Sequence, residues 1–314
     1  MSTEAETPRI RVADENDLPV LHAVAARALC FDSFTEELLG EKLFRCPRPD
    51  RETFRVYLAE RNGTPVGMMQ SVSRPDDAKG WLGVFAVDAA HRRQGIATVL
   101  LRRVADDWRR ARIRDVEVLA IPGNYFTPGL DPRYTEALCF LEHHGFERFK
   151  DCVNLLADLS DPFDTAGEEA RLGKLGIVVR RADRGDGDLL DAFFTDHFGV
   201  DWRLEAELAM ANDPPGLHLA LKGGNIIAFS AHSGQNREWG FFGPMGTAPD
   251  ARGTGIGRVL LWHCLNDLRD AGHRTSVIPW VGPIGFYSRY IPCRVERVFW
   301  RYRTAVSDPS MPAT

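Results

Sequence analysis

The sequence predicts an α/β (α+β) chain made of two tandem copies of one domain, and three observations carry that expectation. At 314 residues the chain is long enough for two domains of about 150 residues each. A tight turn, Arg252-Gly253-Thr254-Gly255-Ile256-Gly257, joins an apolar segment (239–247) to a helical pattern. In that pattern Ile256, Val259, Leu260, Cys264, Leu268 and Ala271 share one face, and Gly272 stops it. The same arrangement stands 160 residues earlier, where Arg92-Arg93-Gln94-Gly95-Ile96-Ala97 precedes Val99, Leu100, Val104, Trp108 and Ala111. One offset maps Arg252 onto Arg92, Gly255 onto Gly95, Gly257 onto Ala97 and Asp267 onto Asp107, so loop, helix face and stop repeat together.

Taken in order, 10–13 reads as a short strand and Asp14-Glu15-Asn16-Asp17 opens a helix over 18–29, capped by Asp14 or Asn16. A helical segment at 31–48 ends at Pro47 and Pro49. Residues 54–60 alternate as a strand, Asn62-Gly63 is a hairpin turn, and 66–72 returns. A strand at 81–87 feeds the first glycine turn and the helix 96–112, followed by a strand at 115–120. Next comes an aromatic loop, 122–133, read either as a pocket wall or as a surface lid packed on its own rings. A helix at 136–143 and a last strand at 149–156 complete the first copy. The acidic, small-residue segment 158–173 is the linker, with a short helix around 168–172. The second copy repeats the order: strand 177–180, helix 189–198, strand 218–221, turn Gly223-Gly224, strand 226–231, the second glycine turn and its helix. A strand at 276–280, the segment Val281–Tyr287 and a strand at 296–302 close it. The expected domains are therefore 1–158 and 176–304, with a linker at 159–175 and a disordered tail at 305–314.

Net charge is −5, which argues against sequence-independent nucleic-acid binding. Arg102-Arg103 and Arg109-Arg110 read as the solvated face of the first motif helix. The six cysteines show no CxxC or Cys/His metal spacing and read as reduced, buried thiols of a cytoplasmic protein. Met1 to Thr7 lacks the apolar core of a signal peptide, and no run approaches the roughly 18 apolar residues of a membrane span.

Glycine turns ahead of a helix bring uncapped backbone amides together, which is anion-binding chemistry. A P-loop needs a lysine that neither copy supplies, and the dinucleotide fingerprint fails at Arg258 in one copy and throughout the other. Both copies instead carry R-x-x-G-x-G/A between a strand and an amphipathic helix. This resembles the pyrophosphate motif of the GNAT superfamily of N-acetyltransferases, which use acetyl-coenzyme A. A second signature, a helix closed by Gly145-Phe146 after Ala137–His144, resembles the family too. The segment Gly282–Tyr287 looks like a branch of bacterial tandem acetyltransferases.

The resemblance implies, in each copy, a mostly antiparallel, mixed, twisted sheet flanked by helices. It implies a coenzyme cradle at Val87, Arg92, Arg93, Gln94, Gly95, Ile96, Ala97 and Thr98, and at Thr247, Arg252, Gly253, Thr254, Gly255, Ile256, Gly257 and Arg258. The family's acid, a tyrosine of the second signature, aligns with Tyr287 in copy two and Leu141 in copy one, so copy two is the expected catalytic domain. Tyr287 otherwise reads as a ring packed beside Phe286. Glu238 is the candidate base, with a solvated turn residue as its other reading; His232, His91, His143 and His144 have ordinary homes on strand, loop and helix. The implied reaction is direct attack by a small-molecule primary amine on acetyl-coenzyme A, with no metal, nucleic acid or membrane partner. The chain would work as a monomer with an internal pseudo-dimer or as a homodimer. Two other readings stand beside it: a non-catalytic acetyl-coenzyme A sensor or scaffold, and catalysis by copy one with its aromatic loop as acceptor pocket.

Overall fold

The structure, a computed structural model, describes residues 7–307 and 311. The chain divides into two compact units, 1–152 with 299–314, and 153–298. These boundaries differ from the expected 1–158 and 176–304, for a reason that lies in strand pairing and is given with each unit.

In the first unit the order is β1 (Arg9–Ala13), α1 (Leu18–Ala28), α2 (Glu36–Phe44), β2 (Thr53–Arg61), β3 (Thr64–Arg74), β4 (Lys79–Val87), α3 (Ile96–Arg110), β5 (Asp115–Val118) and α4 (Thr135–His143). Asp14 caps a 3-10 turn ahead of α1 through a capping box with Asp17. Asn62 and Gly63 both take positive φ, as the hairpin between β2 and β3 requires. Strands β1 to β4 pair antiparallel in sequence order, and β4 pairs parallel with β5. The strand beyond β5 comes from the carboxyl-terminal part of the sequence, where 303–305 pairs antiparallel with 115–117. Tyr302 of that segment is buried in the first unit's core, and its hydroxyl donates to Glu142 Oε1 at 2.8 Å. The stripe Leu100, Leu101, Val104 and Trp108 of α3 packs on the sheet. Gly80 leaves the space that the Trp108 indole fills, and Trp108 Nε1 donates to the Val72 carbonyl at 3.2 Å.

The segment 122–133 is an interior loop, neither lid nor open wall. Asn124, Tyr125, Phe126, Thr127, Leu130 and Asp131 are buried. Asn124 Nδ2 donates to the carbonyls of Glu41, Lys42 and Arg45, closing the end of α2.

The next strand, β6 (Glu147–Asp158), gives its second half to the other unit. There follow α5 (Ala166–Gly173), β7 (Ile177–Arg181), α6 (Gly187–His197), α7 (Val200–Met210), β8 (Leu217–Lys222), β9 (Asn225–His232), β10 (Phe242–Thr247), α8 (Ile256–Asp270), β11 (Thr275–Val281), α9 (Ile284–Tyr290) and β12 (Cys293–Ala305). One antiparallel sheet runs β10-β9-β8-β7, and β11 pairs antiparallel with the second half of β6 from Thr275↔Asp158 to Val281↔Val153. Two segments read as strands closing their own copies thus pair elsewhere, and that moves the boundaries. Segment 239–247 is strand only from Phe242, because 237–239 forms a 3-10 turn and Gly240 is left-handed. Helix α7 carries no strong apolar stripe, since it buries only Leu204, Ala206 and Ala209 of its eleven residues. Helix α9 stops at Tyr290 because Pro292 forces Ile291 into extended backbone (φ −143°, ψ 149°).

Of the six cysteines only Cys152 and Cys264 are buried; Cys30 and Cys139 are exposed and Cys46 and Cys293 half-buried, which limits the expected buried thiols to two. Burial pushes the Cys152 thiol up to about 12. Val306 and Met311 of the expected tail are buried in the first unit's core, while 308–310, 312–314 and the first six residues lie outside the described residues. Among the described residues no helix is long and apolar enough to cross a membrane.

If the carboxyl-terminal strand completes the first unit, Tyr302→Ala should lower its stability by about 3–5 kcal/mol, as removal of a buried aromatic ring does. Thermal unfolding should show the loss in a first-unit transition. An unshifted melting temperature would contradict the pairing.

Candidate functional site

Each glycine turn carries a strand into a helix through two left-handed residues, Arg93 (φ 61°) and Gly95 (79°) in one unit, Gly253 (77°) and Gly255 (87°) in the other. Gly95 and Gly255 stand at the N-cap of α3 and α8, and neither helix has a side-chain cap or an acidic residue in its first turn. First-turn amides therefore face outward with no carboxylate of the helix's own first turn to oppose an anion, and alternating left-handed residues aim neighbouring N–H groups at one point. Arg93 holds as a side-chain-bearing residue the conformation that Gly253 takes freely, at a cost of about 1–2 kcal/mol.

The motif arginines act on the backbone. Arg92 Nε donates to the Val87 carbonyl (3.1 Å) and Nη2 to the Ala28 carbonyl (3.3 Å), while Nη1 pairs with Glu136 (3.4 Å). Arg252 Nε donates to the Thr247 carbonyl at 3.3 Å. In both units, then, the first motif residue ties the end of the strand to the loop. Gln94 bridges Arg61 and the Ala90 carbonyl, and Thr254 Oγ1 donates to the Ala251 carbonyl at 2.6 Å. Thr98 Oγ1 lies 3.2 Å from His144 Nε2, a histidine buried under the first turn of α3.

Two residues read as linker stand at the second cradle. Arg171 of α5 donates from Nη2 to the Thr254 carbonyl at 2.5 Å, and Glu168 pairs with both Arg171 (2.9 Å) and Arg258. The Arg171 hydrogen bond, then that of Arg258, holds the Glu168 carboxyl below its usual range. Arg258 also covers the rings of Trp262 and Tyr290 (5.1 and 5.2 Å). Nothing in the local sequence of 166–173 separates such a contact from solvated linker charge.

The parallel strands beside each cradle meet and then part. In the first unit β4 and β5 pair from Lys79↔Asp115 to Leu82↔Val118, the Leu119 amide donates to the Leu82 carbonyl (2.8 Å), and β4 runs on alone to Val87. In the second, β10 and β11 meet at the bridge Phe241↔Val277, which lies 160 residues on from Trp81↔Glu117. Beyond these points β4 and β10 have no sheet partner on that side among the described residues.

Tyr287 on α9 is buried against Phe242 (6.2 Å), the residue where the second pair parts, and against Phe286 (5.2 Å). Burial pushes its phenol well above the usual range, so it carries its proton at neutral pH. Phe286 and Met245 lie 3.4 Å from where a Cβ on Gly257 would stand, so α9 reaches the first turn of α8. Leu141, its counterpart, is fully buried in the first unit's core. Glu238 is exposed on the 3-10 turn before the bridge. His232 faces Asp267. Sequence reasoning also missed an aromatic wall: a Cβ on Gly246 would stand 2.5 Å from the Phe198 ring, which stacks on half-exposed Trp202 (5.0 Å, 5°).

The sequence pattern of the acetyltransferase (GNAT) family matches residues 24–124 and 187–288. No curated protein matches the sequence. Among solved structures, the chain is similar to the GCN5-related glucosamine N-acetyltransferase region of a fungal multi-domain GH3 β-N-acetylglucosaminidase (TM-score 0.80, 19% identity), covering 95% of this chain and 38% of that one. It thus spans less than half of that protein. It is also similar to a GCN5-related N-acetyltransferase from Sphaerobacter thermophilus (TM-score 0.73, 16% identity, 98% and 97% covered). A tandem GNAT protein of the clavulanic acid biosynthesis pathway matches at TM-score 0.70 and 12% identity, over 96% and 99% of the two chains.

Gly255→Ala should cost the second unit about 1–2 kcal/mol, because a Cβ there meets the Arg171 guanidinium at 2.5 Å and φ is left-handed. Gly167→Ala, in helical backbone with open space around it, should be neutral or slightly stabilising. Calorimetric melting of the two variants distinguishes a strained loop from a tolerant one.

Proposed function

The chain belongs to the acetyltransferase (GNAT) family, and from that premise we propose that it transfers an acetyl group from acetyl-coenzyme A to a primary amine of a small molecule, with the second unit doing the chemistry. The observation that carries the choice of unit is Tyr287, a protonated hydroxyl buried where β10 and β11 part, against Leu141 at the matching place. The cradle's uncapped amides and lack of first-turn acids fit a pyrophosphate, and Arg258 and Arg171 add positive charge beside it. When bound, acetyl-coenzyme A supplies the acyl carbon and the sulfur that leaves it. The unpaired amides of β10 polarise the carbonyl oxygen, as an oxyanion hole does. The C–N bond forms as the C–S bond breaks; the amine gives up its proton to solvent water, and Tyr287 gives its hydroxyl proton to the departing sulfur and is reprotonated from solvent. Glu238 is assigned no step.

An amino sugar is the first acceptor to try. The similar fungal region is described as a glucosamine N-acetyltransferase, and the Phe198–Trp202 pair beside Gly246 offers the flat apolar surface that a sugar ring covers.

Gly255→Asp places a carboxylate among the cradle amides and should abolish acetyl-coenzyme A binding to the second unit while the protein stays folded. Gly95→Asp makes the matching test in the first. Calorimetric titration gives stoichiometry and affinity for both, and unchanged binding in Gly255→Asp would reject the cradle.

Tyr287→Phe should lower turnover by roughly 100-fold with little change in KM for acetyl-coenzyme A, a loss of about 2.7 kcal/mol in transition-state stabilisation. Thiol release with a panel of amines, glucosamine among them, provides the assay. Full activity in Tyr287→Phe, together with inactivation by Gly95→Asp, would move the chemistry to the first unit.

A further inference from the structure

We propose that His218, His232 and Asp267 form a binding site for a divalent transition-metal ion in the second unit, separate from the coenzyme cradle. His218 stands on β8, His232 ends β9, and Asp267 lies near the carboxyl end of α8. His218 Nε2 is 2.6 Å and His232 Nε2 is 3.1 Å from the same carboxylate oxygen, Asp267 Oδ2. All three donor atoms fall within 4.8 Å of one another, and both imidazoles are buried. Two imidazole nitrogens and one carboxylate oxygen converging from rigid elements make a set suited to Zn²⁺, Co²⁺ or Fe²⁺, with positions left for water.

The groups behind the donors fit that role. Arg181 Nη2 holds Asp267 Oδ1 at 2.7 Å, leaving Oδ2 turned to the histidines. His232 Nδ1 lies 3.0 Å from Ser233 Oγ, which can accept its proton and fix Nε2 as the bare nitrogen. His218 Nδ1 has no hydrogen-bond partner among the described residues, and its ring is held by stacking on His263 (5.0 Å, 17°). The Arg181 charge and that lone Nδ1 weaken the site without removing a donor.

The first unit supplies a contrast. Its counterpart Asp107, 160 residues earlier, accepts from Tyr57 Oη (2.9 and 3.0 Å) and Arg55 (2.7 Å). Ser71, which faces Leu82 as His232 faces Phe242, takes the other strand position. A hydroxyl and two guanidiniums, those of Arg55 and Arg110, thus satisfy this carboxylate without imidazoles, so the two histidines of the second unit serve something further. The site lies twelve residues along α8 from Gly255, about 18 Å at the helical rise, so a bound ion would tie α8 to β8 and β9 without touching the cradle.

The test uses the whole chain, free of any tag and stripped with a chelator. Titration with Co²⁺, followed by visible absorption, and with Zn²⁺ by calorimetry should show one saturable equivalent and a raised melting temperature. His232→Ser, which installs the first unit's residue, and Asp267→Asn should each weaken binding at least about 100-fold. Circular dichroism checks that they fold. The cobalt K-edge spectrum of the wild-type protein needs no variant and should show two imidazole ligands. No saturable binding below about 1 mM, fewer than two imidazoles, or unchanged affinity in folded His232→Ser would each overturn the proposal.

Discussion

A strand that hands over to a helix within a few residues must turn sharply and yet leave the first helical amides unspent. In both units a guanidinium solves the first half of that problem. Arg92 and Arg252 hold the last strand carbonyl, so the loop is anchored before the helix begins. The second half needs two left-handed residues in alternation, and only glycine takes that backbone without strain. Cradle, parting strands and the packing of α9 on α8 all follow from where this turn sets the helix. Because a side-chain cap would have filled the amides, its absence at Gly95 and Gly255 is part of the same arrangement.

The turns and both motif helices were legible because their signals are local: a glycine spacing and an apolar stripe lie within a score of residues. The hairpins at Asn62-Gly63 and Gly223-Gly224 were legible for the same reason, since dihedral preference names the turn. What pairs with what was not. The segments 153–158 and 303–305 alternate like any closing strand, and nothing in them says which edge they complete. The loop 122–133 looked like surface because its glycines and prolines forbid regular structure. Its burial depends on Asn124 finding three carbonyls at the end of α2. At the site, Tyr287 was found by alignment with a motif, whereas Arg171, Phe198 and the His218–His232–Asp267 group lie at separations that only the fold closes.

Duplication has let the two copies solve the same positions differently. Leu141 fills a core where Tyr287 brings a hydroxyl; Ala97 stands where Gly257 admits Phe286; Arg93 bears strain where Gly253 bears none. The backbone is kept while the side chains that stand on it differ.

The division of strands also bears on how the chain is made. Residues 153–298 must all be synthesised before the strand that finishes the first unit's sheet exists. At about 5–20 residues per second that is a wait of roughly 7–30 s. Through it β5 presents an unpaired edge, with the apolar core around Trp108 only partly covered. A ribosome-bound chain of this kind keeps that edge open until residues 303–305 are made. Its first half completes last, and a chain cut short anywhere in 153–298 would leave a sticky fragment in place of a usable domain.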